Sequence, residues 1–186
     1  MDSKARLNIL INFSTKSQTL SQLRPIIKTA KIAPLVVFTT KDWNSNSQSC
    51  VDLIRDTLGD ILYIVRSSCI DEDNYEKSNA GAFISELNVS YEALAGAITR
   101  VIESYGQTAD ANNQVLVQPM LENVLISGVA FSHDPSTKTP YRIINWTESE
   151  DTTLITGGKS GLTLTQASSS PFEPPQPLTS VLTMID

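Results

Sequence analysis

Ile61-Leu62-Tyr63-Ile64-Val65-Arg66-Ser67-Ser68 is the stretch on which the fold of this chain turns. Its first part is rich in β-branched and aromatic side chains, which suits a central buried strand, and it passes without a break into polar groups at the strand's end. Working back toward the N-terminus, Gly59 is placed to stop a helix carrying Val51, Ile54 and Leu58, with Asn46 or Ser47 as its cap. Before it, Leu35-Val36-Val37-Phe38, bounded by Pro34, predicts a buried strand. From Ser17 to Ile32 the residues Leu20, Leu23, Ile26, Ile27 and Ala30 fall at helical spacing, and Pro25 must start, kink or split that element.

Toward the C-terminus a polar loop precedes a strand over Phe83 to Val89. Ser90 then opens a helix with Leu94, Ala97, Ile98, Val101, Ile102 and Tyr105 on one face and Gly106 as its stop. Strands are predicted at Val115–Gln118, Ile126–Ser132, Arg142–Trp146 and Thr152–Thr156. This order predicts an α+β chain with a helix-rich first part and a strand-rich second part. Beyond Gly161 the character changes, because the segment 168–177 holds four of the nine prolines and reads as a loop or linker. Leu178, Val181, Leu182, Met184 and Ile185 then begin a helix that is expected to be cut off, so the chain reads as part of something longer. The expected divisions are 1–112, 113–162 and 163–186, the last being a Pro/Ser-rich loop and the start of that helix.

With 186 residues, 40% of them hydrophobic and 18% charged, the chain can bury the core of an ordinary domain, divided into two lobes. No apolar run approaches the ~20 residues needed to span a bilayer, and Met1-Asp2-Ser3-Lys4-Ala5-Arg6 lacks the apolar stretch of a signal peptide. A soluble, cytoplasmic protein without a membrane partner is the expectation. Cys50 and Cys69 are too few for a disulfide framework and read as small buried side chains. A net charge of −6 argues against general nucleic-acid binding, which needs a basic surface. Charge is uneven, with Lys4, Arg6, Lys16, Arg24, Lys28 and Lys31 early and Asp71, Glu72, Asp73 and Glu76 crowded later; solvated surface is the plain reading of both runs.

Among the motifs, Val65-Arg66-Ser67-Ser68 followed by Asn79-Ala80-Gly81 is a phosphate site in outline. An arginine at a strand end offers a planar fork to phosphate oxygens, serine hydroxyls add hydrogen bonds, and Gly81 permits close backbone approach. The alternative is a surface Arg66 paired with Asp71 or Asp73. Gly157-Gly158-Lys159-Ser160 looks like the end of a P-loop, but Thr153 stands where G-x-x-x-x-G-K-S/T needs glycine. His133 lies in a Ser-His-Asp-Pro turn, where immediate neighbours do not form a triad, and reads as a turn or surface residue. With one histidine and no cysteine cluster, no structural zinc site is expected. Trp43 and Trp146 read as core or lobe-interface residues.

Four segments in order resemble the ATP-grasp nucleotide-binding domain of the phosphoenolpyruvate synthase and pyruvate phosphate dikinase family. Ser14-Thr15-Lys16-Ser17-Gln18-Thr19-Leu20 is similar to the family's G-G-K-x-x-N-L opening. Val65-Arg66-Ser67-Ser68 through Glu72-Asp73, Asn79-Ala80-Gly81-Ala82-Phe83 and Leu87-Asn88-Val89 is similar to its V-R-S-S segment, acidic pair and A-G-x-F continuation. Val115-Leu116-Val117-Gln118-Pro119-Met120-Leu121 resembles V-V-Q-x-M-V, and Ser127-Gly128-Val129-Ala130-Phe131-Ser132-His133-Asp134-Pro135 resembles S-G-V-x-F-T-x-D-P. The likeness runs over roughly residues 14 to 146.

The resemblance implies an ATP-grasp-like fold, incomplete at its C-terminus, in which ATP lies between two lobes. It implies that Lys16 neutralises ATP phosphates, that Arg66 contacts the transferred phosphate, with Ser67, Ser68 and Gly81 beside it, and that Gln118, Met120 and Leu121 hold adenine. It also implies Mg²⁺, held by acids outside this chain, and downstream phosphohistidine and phosphoenolpyruvate/pyruvate-binding domains as partners. Phosphate would pass from ATP through a phosphohistidine to an acceptor such as pyruvate, and the fragment alone would be inactive. Thr156-Gly157-Gly158 is similar to the start of the phosphohistidine motif, but no histidine follows. Departures from the family pattern are Ser14 and Thr15 in place of two glycines, Pro119 in place of a basic residue, and Trp146-Thr147-Glu148-Ser149 where G-L-G-E stands. They keep open a second reading, a catalytically inactive nucleotide-sensing or interaction module.

Overall fold

A computed structural model describes residues 15–69, 84–106, 110–148, 161–176 and 178–185. The chain divides into two compact units, Met1–Met120 and Leu121–Asp186. Among the described residues five helices and two antiparallel sheets make an α+β protein. No described helix is long and apolar enough to cross a membrane.

In the first unit, helix α1 (Lys16–Leu23) starts at the N-cap Thr15, whose hydroxyl accepts from the Gln18 amide at 3.3 Å. It ends well before Ile32, because Pro25 has no amide hydrogen to continue the ladder and its ring crowds the preceding turn. Strand β1 (Val36–Thr39) runs straight into α2 (Thr40–Ser45). That short helix was not expected from periodicity. It is nucleated by a capping box in which the Asp42 amide donates to the Thr39 hydroxyl at 3.1 Å and the Thr39 amide donates to the Asp42 carboxylate at 2.9 Å. Asn46 then caps α3 (Ser47–Leu58), accepting from the Ser49 amide at 3.1 Å, and Gly59 stops it with a φ of +84° that suits glycine.

Strands β2 (Tyr63–Ser68) and β3 (Ser85–Val89), helix α4 (Leu94–Glu103) and strand β4 (Gln114–Pro119) complete the unit. The sheet order is β1-β4-β2-β3, so the Ile61–Ser68 stretch supplies an interior strand as expected. Side chains alternate across the sheet, and the register assigns them to faces. Val36, Phe38, Tyr63, Val65, Val89, Val115 and Val117 join Ile54 from α3 and Leu94, Ala97, Ile98 and Val101 from α4 in one core. Each fully buried aliphatic side chain there contributes about 1.5–3 kcal/mol. The edge strand β3 is tied to α4 by a two-pronged ion pair, Arg100 donating to both Glu86 oxygens at 2.9 and 3.0 Å. Ile64, Arg66 and Ser68 on β2 share the opposite face with their β4 partners Gln118, Leu116 and Gln114.

The second unit contains β5 (Ser127–Phe131), β6 (Tyr141–Thr147), β7 (Leu162–Ala167) and α5 (Leu178–Ile185). The strands form a meander in sequence order. Leu178 and Leu182 of α5 bury against Ile144, with Ala130, Trp146 and Leu164 packed around them. Residues 163–167, expected as loop, belong to β7: Leu162, Leu164 and Gln166 alternate with three polar or small residues opposite β6. The expected strand at Thr152–Thr156 lies outside the described residues.

Candidate functional site

Lys16 is the first residue of α1, half-buried between Thr15 and Ser17, which are 4% and 1% exposed. The head of this helix is seated on the end of β2, since the Ser17 amide donates to Ser68 Oγ at 3.0 Å across 51 positions of sequence. Ser68 and Arg66 alternate with Ser67 along β2, so the fork-bearing Arg66 lies on the same sheet face that receives α1. Lys16, Arg66 and Ser68 are therefore brought to one region. Arg66 is half-buried in an interior strand, with Leu116 and Ser85 as its cross-strand partners.

Ser67 faces the other way. It is fully buried, paired with Val115 on the helix-covered side, and its hydroxyl points away from the Arg66 face. Gln118 shares the Arg66 face four residues along β4 from Gln114, about 13 Å of extended strand. Its side chain is 9% exposed and donates to the Ala33 carbonyl at 3.4 Å. The Met120 amide donates to the Leu62 carbonyl at 2.8 Å, extending the β2–β4 pairing by one rung. Leu121, at 67% exposure, opens the second unit. Gly81, the acids at 71–76 and Gly157-Gly158-Lys159-Ser160 lie outside the described residues. His133 is exposed at the β5–β6 connection, its Nδ1 lying 3.3 Å from Ser132 Oγ. Cys50 and Cys69 are buried free thiols.

Residues that the motif reading passed over build the site's support. Thr15 Oγ1 and Ser17 Oγ both donate to Gln114 Oε1, at 2.9 and 2.6 Å. The Ser68 amide donates to the Tyr105 hydroxyl at 3.2 Å, and that hydroxyl donates to the Gln114 carbonyl. Thr15-Lys16-Ser17-Gln18 carries the S/T-x-x-E/Q signature of a helix start, which was the legible local signal. Nothing local pointed to Gln114. The Ser17 and Gln18 amides at the helix head are thus met by hydroxyl oxygens. Among the described residues there is no group of three or more His, Cys, Asp or Glu that could hold a metal ion.

Lys16 and Arg66 are thus carried by a helix head and a strand that meet, with the hydroxyl-bearing Thr15, Ser17 and Ser68 at the junction. The family model described as pyruvate phosphate dikinase, AMP/ATP-binding domain, matches residues 16–156, starting on Lys16 and taking in Arg66, Gln118 and the β5–β6 hairpin. No curated protein matches the chain. With most of its length inside that match, this chain belongs to the pyruvate phosphate dikinase AMP/ATP-binding domain family and is a nucleotide-binding part of an ATP-dependent phosphotransferase of that kind.

Proposed function

We propose that the chain supplies the ATP site of a phosphoenolpyruvate synthase-like phosphotransferase of ATP-grasp type, with Lys16 and Arg66 as its phosphate-contacting residues. The observation that carries this reading is the 3.0 Å bond from the Ser17 amide to Ser68 Oγ, which joins the segment bearing Lys16 to the strand bearing Arg66. Phosphoryl transfer asks little covalent chemistry of the protein and a great deal of positioned positive charge. A lysine ammonium is a mobile point charge able to follow the β- and γ-phosphates, whereas a sheet-held guanidinium grips two oxygens of one phosphate in fixed geometry. Gln118 and Met120, one nucleotide's length along β4, would meet the adenine. Mg²⁺ has no ligand cluster among the described residues, and no step is assigned to it. Phosphate would then leave for a histidine on another domain and from there reach an acceptor such as pyruvate.

Calorimetric titration with ATP tests the assignment. Lys16→Ala and Arg66→Ala each remove a charge-assisted hydrogen bond, so each is expected to weaken binding roughly ten- to a hundredfold. Unchanged affinity in both variants would remove the site. A second reading, a nucleotide-sensing module without catalysis, is favoured by one feature: the Ser17 and Gln18 amides near the head of α1 are taken by the Ser68 and Thr15 hydroxyls, not left open to phosphate. It predicts ATP binding with no phosphate released or transferred in any longer form of the protein.

A further inference from the structure

Gln114 opens β4 with its side-chain oxygen between two hydroxyls. Thr15 Oγ1 donates to it from 99 positions away and Ser17 Oγ from 97, at 2.9 and 2.6 Å. These donors are the immediate chain neighbours of Lys16 on either side, and both are buried. The Ser17 amide adds the tie to Ser68 Oγ. Ser68 in turn donates its amide to the Tyr105 hydroxyl, which closes the circuit by donating to the Gln114 main-chain carbonyl. The residue between two pinned neighbours has little backbone freedom left. A lysine side chain is a flexible four-carbon tether, so where its ammonium can act is decided by where its Cα is held.

We infer that Gln114 is a positioning residue for Lys16: its single amide oxygen clamps both flanks of the lysine to the start of β4. This rests on the assignment of Lys16 to the ATP phosphates. It adds that the lysine's anchor point is set by a strand, not by the helix head on which the lysine lies. Because β4 runs on to Gln118 and leads directly to Met120, the same clamp ties the lysine's anchor to the strand that carries or precedes the residues proposed to meet adenine. A nucleotide bridging them would then find both ends in place without ordering a loop first, and preorganisation of this sort appears in affinity.

The test uses the whole chain and reads ATP affinity by calorimetry together with exchange of the Ser17 and Gln18 amides in ATP-free protein. Gln114→Met keeps the side chain's length but replaces the amide oxygen with a weakly accepting thioether, Thr15→Val removes a hydroxyl, and Thr15→Ser keeps it. Gln114→Met is expected to raise the Kd for ATP about tenfold and to speed exchange of the Ser17 amide. Thr15→Val should act in the same direction, while Thr15→Ser binds as the unaltered protein does. The double variant Thr15→Val/Gln114→Met should lose less than the two single losses combined, because both changes break the Thr15–Gln114 bond while the Gln18 cap and the Ser17 bond are each lost in one alone; two unrelated packing defects would add fully. If Lys16→Ala weakens ATP binding while Gln114→Met and Thr15→Val leave it unchanged, the positioning role is overturned and the ATP reading stands. If Lys16→Ala itself leaves affinity unchanged, the ATP reading falls and the positioning role with it.

Discussion

An alanine at position 128 puts one methyl group where the second unit has no room for it. Gly128 sits on β5 directly opposite Trp146 on β6. A Cβ built there would lie far inside contact distance of the Asn145 carbonyl oxygen and 3.0 Å from both the Cα and the Cβ of Trp146. The nearest obstacles are backbone atoms of an interior strand, so relief requires β5 to move away from β6 instead of a side chain turning aside. Overpacking of this kind costs about 1–3 kcal/mol, and each ladder hydrogen bond stretched in the process adds about 1 kcal/mol, so a loss of roughly 3 kcal/mol is expected. For a unit of this size, that corresponds to a fall in Tm on the order of 10–20 °C. Thermal unfolding followed by near-UV circular dichroism, which Trp146 dominates in this unit, reads the loss directly. A Gly128→Ala protein melting within a degree or two of the original would refute the close approach of β5 to β6.

Gly96, exposed on α4, is the converse case: an added Cβ meets only the tip of the Arg100 side chain at 3.4 Å. Gly96→Ala is therefore expected to stabilise the first unit by about 0.5–1 kcal/mol, through reduced unfolded-state freedom, in a denaturant titration. Asn46→Ala removes the cap of α3 and should cost about 1 kcal/mol in the same titration, with Asn46→Asp close to neutral. Asp134 accepts amide hydrogen bonds from Thr137 and Ser136 in the β5–β6 connection, and these hold its carboxyl below the ordinary aspartate range. Its contribution to stability is fully present above the ordinary value of about 3.9 and is lost as pH falls through its depressed folded value. Asp134→Asn should flatten that part of the stability-versus-pH curve, and an unaltered curve would remove the assignment. ATP titrations of Lys16→Ala and Arg66→Ala complete the set.

Elements whose cause is local were legible in the amino-acid order. Asn46 and Gly59 bracket α3 at the residues read as its cap and stop, and the apolar stripe Leu94, Ala97, Ile98, Val101 is the buried face of α4. The two elements not foreseen have weak periodic signals. In α2 only six residues form the helix, and its cause is the Thr39–Asp42 box. In β7 the alternation Leu162, Leu164 is masked by threonines and a neighbouring proline-rich run, so antiparallel pairing with β6 makes the strand. The candidate site was half legible. Lys16 and Arg66 could be named because their types and flanking residues carry phosphate chemistry and a family pattern, while Ser67, equally prominent in that pattern, turns out to face the core.

By itself, then, the amino-acid order determined the α+β class, the cap and stop of α3, the interior character of the Ile61–Ser68 strand and the family to which the chain belongs. All of these follow from periodicity, capping chemistry and short patterns, each expressed within a few residues. Only the tertiary structure decided that β4 inserts between β1 and β2, that Arg66 and Ser68 share a face from which Ser67 is excluded, and that Gln114 clamps the flanks of Lys16. Those facts depend on pairings between segments far apart in the chain, whose choice is made by the collective burial of one sheet face and not by any local preference of the residues that meet there.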